Sequence, residues 1–94
     1  DVSQSVFTVR SGDTIVFDVT SNMGWNVDVM TISGDGWMDM NMCYGEGNQR
    51  LECTVHANQS SVYKIIITDY NQFKSAEVTV NVEPDSGEIP RRIN

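Results

Sequence analysis

Two β-branched runs near the end of the chain, Ser61-Val62-Tyr63-Lys64-Ile65-Ile66-Ile67-Thr68 and Ala76-Glu77-Val78-Thr79-Val80-Asn81-Val82, flank the polar turn Asp69-Tyr70-Asn71-Gln72. Such runs specify a strand pair. In the second, Val78, Val80 and Val82 alternate with Glu77, Thr79, Asn81 and Glu83, so one face is apolar and the other polar, as in a sheet buried on one side. In the first, Tyr63, Ile65 and Ile67 share a face, and Ile66 adds apolar character to the other. That strand is expected at the centre of its sheet, covered more completely than its partner.

The rest of the chain repeats the same period. Val6, Phe7 and Val9 suit an opening edge strand before the turn Ser11-Gly12-Asp13. Ile15, Phe17 and Val19 point inward from the next strand, with Asp18 and Thr20 outward, and Ser21-Asn22-Met23-Gly24 closes it with turn chemistry. Trp25, Val27 and Val29 then alternate with Asn26 and Asp28, which puts the tryptophan at the head of a core-facing row. After Ser33-Gly34-Asp35-Gly36, alternation resumes at Trp37-Met38-Asp39-Met40-Asn41-Met42, and again over Arg50–His56. The predicted core is Ile15, Phe17, Val19, Trp25, Val27, Leu51, Val55, Tyr63, Ile65, Ile67, Val78 and Val80.

Seven short strands with turn signals between them, and no convincing helix of two turns, predict an all-β, immunoglobulin-like antiparallel β-sandwich. Tyr63 stands near the start of the sixth strand, where sandwich folds often place a tyrosine whose hydroxyl bonds to upstream backbone. Ninety-four residues suit one domain. It is expected over residues 1–83, with residues 84–94, which hold both prolines and no usable period, as a C-terminal linker.

The formal charge of −7, with 13 acidic and 6 basic residues, disfavours nucleic acid and anionic membranes as partners. No apolar run approaches the roughly 20 residues of a membrane-spanning helix, so direct membrane insertion is not expected. The two cysteines, Cys43 and Cys53, lie symmetrically about Asn48 and would face each other across a hairpin. A disulfide between them, in an exported protein, is the favoured reading, and two reduced thiols the alternative. Alternation also conflicts locally: a Cys43 facing Cys53 falls on the face of Trp37, Asp39 and Asn41, opposite the three methionines. Either a bulge between Met40 and Tyr44 re-phases the strand or the methionine row is exposed; the bulge is favoured, because burying Asp39 and Asn41 without partners would cost several kcal/mol.

Chemistry-bearing residues are few. The single histidine, His56, has no marked nucleophile or acid beside it, so neither a Ser/His/Asp nor a Cys/His assembly is indicated, and no enzyme activity or cofactor is expected. Asp35, Asp39 and Asn41 lack the glycine and terminal glutamate of a calcium loop, so no metal site is assigned. Asn58-Gln59-Ser60 matches a glycosylation sequon. The remaining candidates are aromatic: Trp37, Tyr44 and Tyr70, with Asp39 and Asn41 beside Trp37, could stack against and hydrogen-bond a polysaccharide or a glycoprotein glycan. The competing reading puts Trp37 in the core and leaves the domain without a ligand.

Three stretches, Phe17-Asp18-Val19-Thr20-Ser21-Asn22-Met23-Gly24-Trp25-Asn26-Val27, Gly36-Trp37-Met38-Asp39-Met40 and Leu51-Glu52-Cys53-Thr54-Val55-His56-Ala57-Asn58, followed by Tyr63–Ile67, resemble the BACON domain over about residues 15–82. That family has a strand ending in Ser-Asn, two spaced tryptophans, a strand ending in Asn and a closing hairpin. Lys64 stands where the family has arginine, and the last strand ends Val82-Glu83 instead of in glutamine. The resemblance implies a non-catalytic module of extracellular, cell-surface or periplasmic proteins of gut bacteria. It implies a spacer or interaction domain beside glycan-handling domains, or alternatively a carbohydrate-binding module, and transfers no binding residues.

Overall fold

The computed structural model describes residues 1–33, 36–40, 44–57, 61–70, 74–84, 87 and 89–93, with backbone alone for 29–33, 36–40 and 61. Nine strands and no helix occur among them: β1 (Val6–Arg10), β2 (Thr14–Val19), β3 (Gly24–Ser33), β4 (Gly36–Met40), β5 (Tyr44–Glu46), β6 (Gln49–Ala57), β7 (Ser61–Asp69), β8 (Ser75–Glu83) and β9 (Arg92–Ile93). They form two sheets, β1-β8-β7-β3-β5 and β4-β6-β2-β9. The expected sandwich is present, with β7 central in the larger sheet. Two edge pairings are parallel, β1 with β8 and β2 with β9; the others are antiparallel as expected.

The period-2 patterns act as read. Ile15, Phe17 and Val19 of β2 and Leu51, Cys53 and Val55 of β6 line the inner face of one sheet. Phe7, Val9, Trp25, Tyr63, Ile65, Ile67, Val78, Val80 and Val82 line the other, and all are buried in one cluster. Every predicted core residue belongs to it except Val27, which is partly buried and packs against it. Phe7 and Phe17 meet across the sandwich with ring centroids 6.0 Å apart. Tyr63 is fully buried, and its hydroxyl donates to the His56 carbonyl at 3.3 Å, the upstream backbone bond its position foretold.

Three features depart from the sequence reading. Tyr44–Glu46, expected within the hairpin about Asn48, forms β5 and pairs with Gly24–Asn26 of β3 in the larger sheet, not with β6. The reason lies at Gly45, where a Cβ would stand 2.8 Å from Trp25 Cζ2; only a residue without a side chain lets the chain cross the buried indole this closely. Gly45→Ala is expected to cost about 1–3 kcal/mol by forcing the ring aside. In urea denaturation that cost should shrink when Trp25 is first replaced by Phe, whose smaller ring leaves room.

The Cys43–Cys53 disulfide is not found. Cys53 is buried without a disulfide, and Cys43 lies outside the described residues. The symmetric hairpin that motivated the bridge does not form, because β6 pairs with β4 in a register that sets Met40, not residue 43, opposite Cys53. Ile15 flanks Cys53 on its other side. The bulge expected between Met40 and Tyr44 and the sequon at Asn58 fall outside the described residues. A register irregularity is present elsewhere, between Thr31 and Ser33 of β3.

The end of the chain, expected to leave as a linker, returns to the domain: Arg92 and Ile93 pair with Thr14 and Ile15. At the other end of the same β2 edge, Asp1 and Thr20 exchange two backbone bonds of 2.8 Å, and Val2 bridges to Val19. Segments from both ends of the sequence therefore cover β2, an edge that would otherwise present unpaired backbone groups.

Candidate functional site

The predicted aromatic candidates divide. Tyr44 is 70% and Tyr70 57% exposed. Trp37 and Asp39 are placed by backbone alone, opposite His56 and Thr54, and their side chains, with Asn41, lie outside the described residues. Because Trp25 points into the core, its neighbours Gly24 and Asn26 face outward, and so do Tyr44 and Glu46, which pair with them. The Tyr70 ring lies on this face directly over Gly24, where a Cβ would stand 2.0 Å from Tyr70 Cε2, and the Tyr70 amide donates to the Gly24 carbonyl at 3.1 Å. Position 24 and Tyr44 are diagonal neighbours, about 7–8 Å apart, so the two exposed phenols occupy one corner of the larger sheet. Asn26 lies between them, its Oδ1 accepting a 2.6 Å bond from the Thr68 hydroxyl, and Glu46 stands beside Gly24. Two rings, an amide, a hydroxyl and a carboxylate thus share a solvent-facing surface. Asn26, Thr68 and Glu46 were not singled out from sequence; the alternation of β3 marks Asn26 as outward, but its pairing with Tyr44 depends on β5 joining β3.

A separate cleft of about 830 Å³ opens at the end of the sandwich, where Thr20, Asn22 and Met23 of the β2–β3 turn meet Asp69, Lys74 and Ser75. Its rim carries both charge signs. Trp25 and Ile67 are among its described lining residues, but they are 1% and 6% exposed, so the Trp25 ring offers no face for stacking there. Neither Tyr44 nor Tyr70 is among its described lining residues.

The outer face of the smaller sheet carries charge instead of rings. Arg50 pairs with Asp18 at 2.9 Å and Arg92 pairs with Glu52, while the Thr14 and Thr54 hydroxyls meet at 3.1 Å. The hydrogen bond from Arg50 holds the Asp18 carboxyl below its ordinary range, and that from Arg92 does the same for Glu52. These groups are solvated, and such pairs contribute little to stability. Among the described residues no group of three or more His, Cys, Asp or Glu side chains could hold a metal.

Asp13 differs from these acids, being 2% exposed. Its Oδ1 accepts from the Arg91 amide at 2.9 Å; its Oδ2 accepts from the Arg10 amide at 2.9 Å and from Arg91 Nε and Nη2 at 3.2 and 2.8 Å. Burial pushes its pKa up, but the Arg91 guanidinium and the two backbone donors outweigh this and hold the carboxyl below its ordinary value.

No family profile matches the sequence, and no curated protein sequence does. Solved structures match by fold. Domains 4 and 5 of the S-layer protein SbsC superpose with a TM-score of 0.59 at 22% identity, over 88% of this chain and 50% of that one. The longer SbsC structure, residues 31–844, gives 0.57 at 21% identity over 87% of this chain and 12% of its own. A conjugative transposon lipoprotein from Bacteroides eggerthii DSM 20697 gives 0.55 at 15% identity, over 87% and 92%. The chain spans half, or much less, of the S-layer chains it matches. At these identities the likeness defines an all-β sandwich domain.

Proposed function

We propose that this chain is a non-catalytic accessory module of a cell-surface or secreted protein, acting as a spacer or interaction domain beside its neighbours. The observation that carries this reading is the use made of Trp25: the indole is sealed in the core, with its Nε1 donating to the Gly47 carbonyl at 3.3 Å, so a ring that could have served a ligand holds the two sheets together. The resemblance to the BACON domain supports it. So does the likeness in fold to domains of an S-layer protein and to a lipoprotein.

A second reading is favoured by one specific observation, the corner where Tyr44 and Tyr70 are exposed together beside Asn26 and Glu46. In it the corner binds carbohydrate, the rings covering a pyranose face while the amide and carboxylate bond hydroxyls. Isothermal titration against a panel of host and plant polysaccharides separates the two. Under the spacer reading no polysaccharide gives saturable heat. Saturable binding that is lost in Tyr44→Ala and Tyr70→Ala would replace it with the second. Gly24→Ala adds a check, since its new methyl must displace the exposed Tyr70 ring without touching the core, abolishing such binding at little cost in stability.

A further inference from the structure

We propose that residues 90–93 form a detachable strap, locked by Arg91 onto Asp13, which covers the edge of β2 and opens without unfolding the sandwich. The strap is too short to hold itself by backbone pairing: β9 has two residues, and small isolated strand pairings are marginal in water. What anchors it is the turn before β2. Pro90 lies over Gly12, 3.4 Å from where a Cβ would stand, and Gly12 has φ +94°. The Arg91 amide and guanidinium make three bonds to the Asp13 carboxylate, and the Arg91 carbonyl accepts the Thr14 amide at 2.8 Å. Arg92 adds its pair with Glu52, and Ile93 packs partly against the core.

A further observation makes the strap separable: the turn is braced independently of it, since Gly12 and Asp13 exchange bonds with Val55 of β6, Gly12 N to Val55 O at 2.6 Å and Val55 N to Asp13 O at 2.9 Å. Losing the strap therefore leaves β2 and β6 paired and opens only one edge. Segments with few buried contacts open locally at free energies well below that of global unfolding, and an uncovered edge is a template for pairing with an extended chain.

The lock is sensitive to acid. Arg91 is the charged side chain acting on Asp13; β1 reaches it with the Arg10 amide, and the strap adds the Arg91 amide. The carboxyl is depressed in the folded state, so its contribution is present above the ordinary aspartate value of about 3.9 and is lost as pH falls through the lower folded value.

Amide hydrogen exchange of the intact chain, followed residue by residue as protection factors, tests this. At pH 7 the Thr14 amide, which donates to the strap, should lose at least tenfold protection in Arg91→Ala. The Val55 and Ile65 amides should keep theirs, and Arg91→Lys should fall between. In the unaltered protein the same selective loss at Thr14 should appear below about pH 4. Unchanged Thr14 protection in Arg91→Ala would overturn the proposal, and so would joint loss at Thr14, Val55 and Ile65, which would make the strap an inseparable part of the fold.

Discussion

Trp25→Ala is expected to lower the unfolding free energy by about 3–5 kcal/mol. The indole is among the largest fully buried side chains, at 1% exposure, and removing it opens a cavity that Gly45, having no side chain, cannot fill from above. The change also strands the Gly47 carbonyl that accepts the indole N–H, at a cost of about 1 kcal/mol, and so loosens the chain just after β5. Trp25→Phe should recover much of the loss, because it restores apolar volume without the donor. Urea denaturation followed by circular dichroism reads the difference as a shifted midpoint with unchanged slope. A loss under about 1 kcal/mol for the alanine variant would show that the indole is not the packing element its burial indicates.

Ile65→Ala should cost about 2–5 kcal/mol. Ile65 is fully buried at the middle of β7, opposite Val78 of β8 on one side and Val29 of β3 on the other, so no edge lets neighbours relax into the space. Ile66, next in sequence and equally β-branched, is half-buried on the outer face. Ile66→Ala should cost under about 1 kcal/mol, because water reaches the gap it leaves. The contrast between adjacent isoleucines tests the strand's phase directly. Equal losses would mean that β7 is covered alike on both faces, and a change at Ile65 below half a kcal/mol would remove this hairpin from the centre of the fold.

The strand pattern, the inward faces and the central place of the last hairpin were legible in the sequence because they are local: the side-chain period of a strand is two, and one-sided burial writes it into consecutive residues. The burial of Trp25 and the backbone bond of Tyr63 followed from the same logic. Burial of Val16 at 4% exposure, on the face between Asp18 and Thr14, did not, since that cover comes from outside its own strand. Nor did the site residues resolve. Tyr44 and Tyr70 stand 26 positions apart, and nothing near either one indicates that β5 will leave β6 and join β3, carrying Tyr44 to the corner that Tyr70 occupies.

The sequence by itself determined an all-β sandwich, most of its core and the presence of exposed tyrosines, because alternation and turn chemistry act within a few residues. Only the tertiary structure decided sheet membership, register and the route of the ends. Register set Met40 opposite Cys53 in place of the expected cysteine pair. Asp13, written as an ordinary turn acid, became a buried anchor when Arg91, 78 residues away, supplied its donors. Contacts of that span are chosen by which partner can satisfy a buried polar group, and no local pattern in a chain records such a choice.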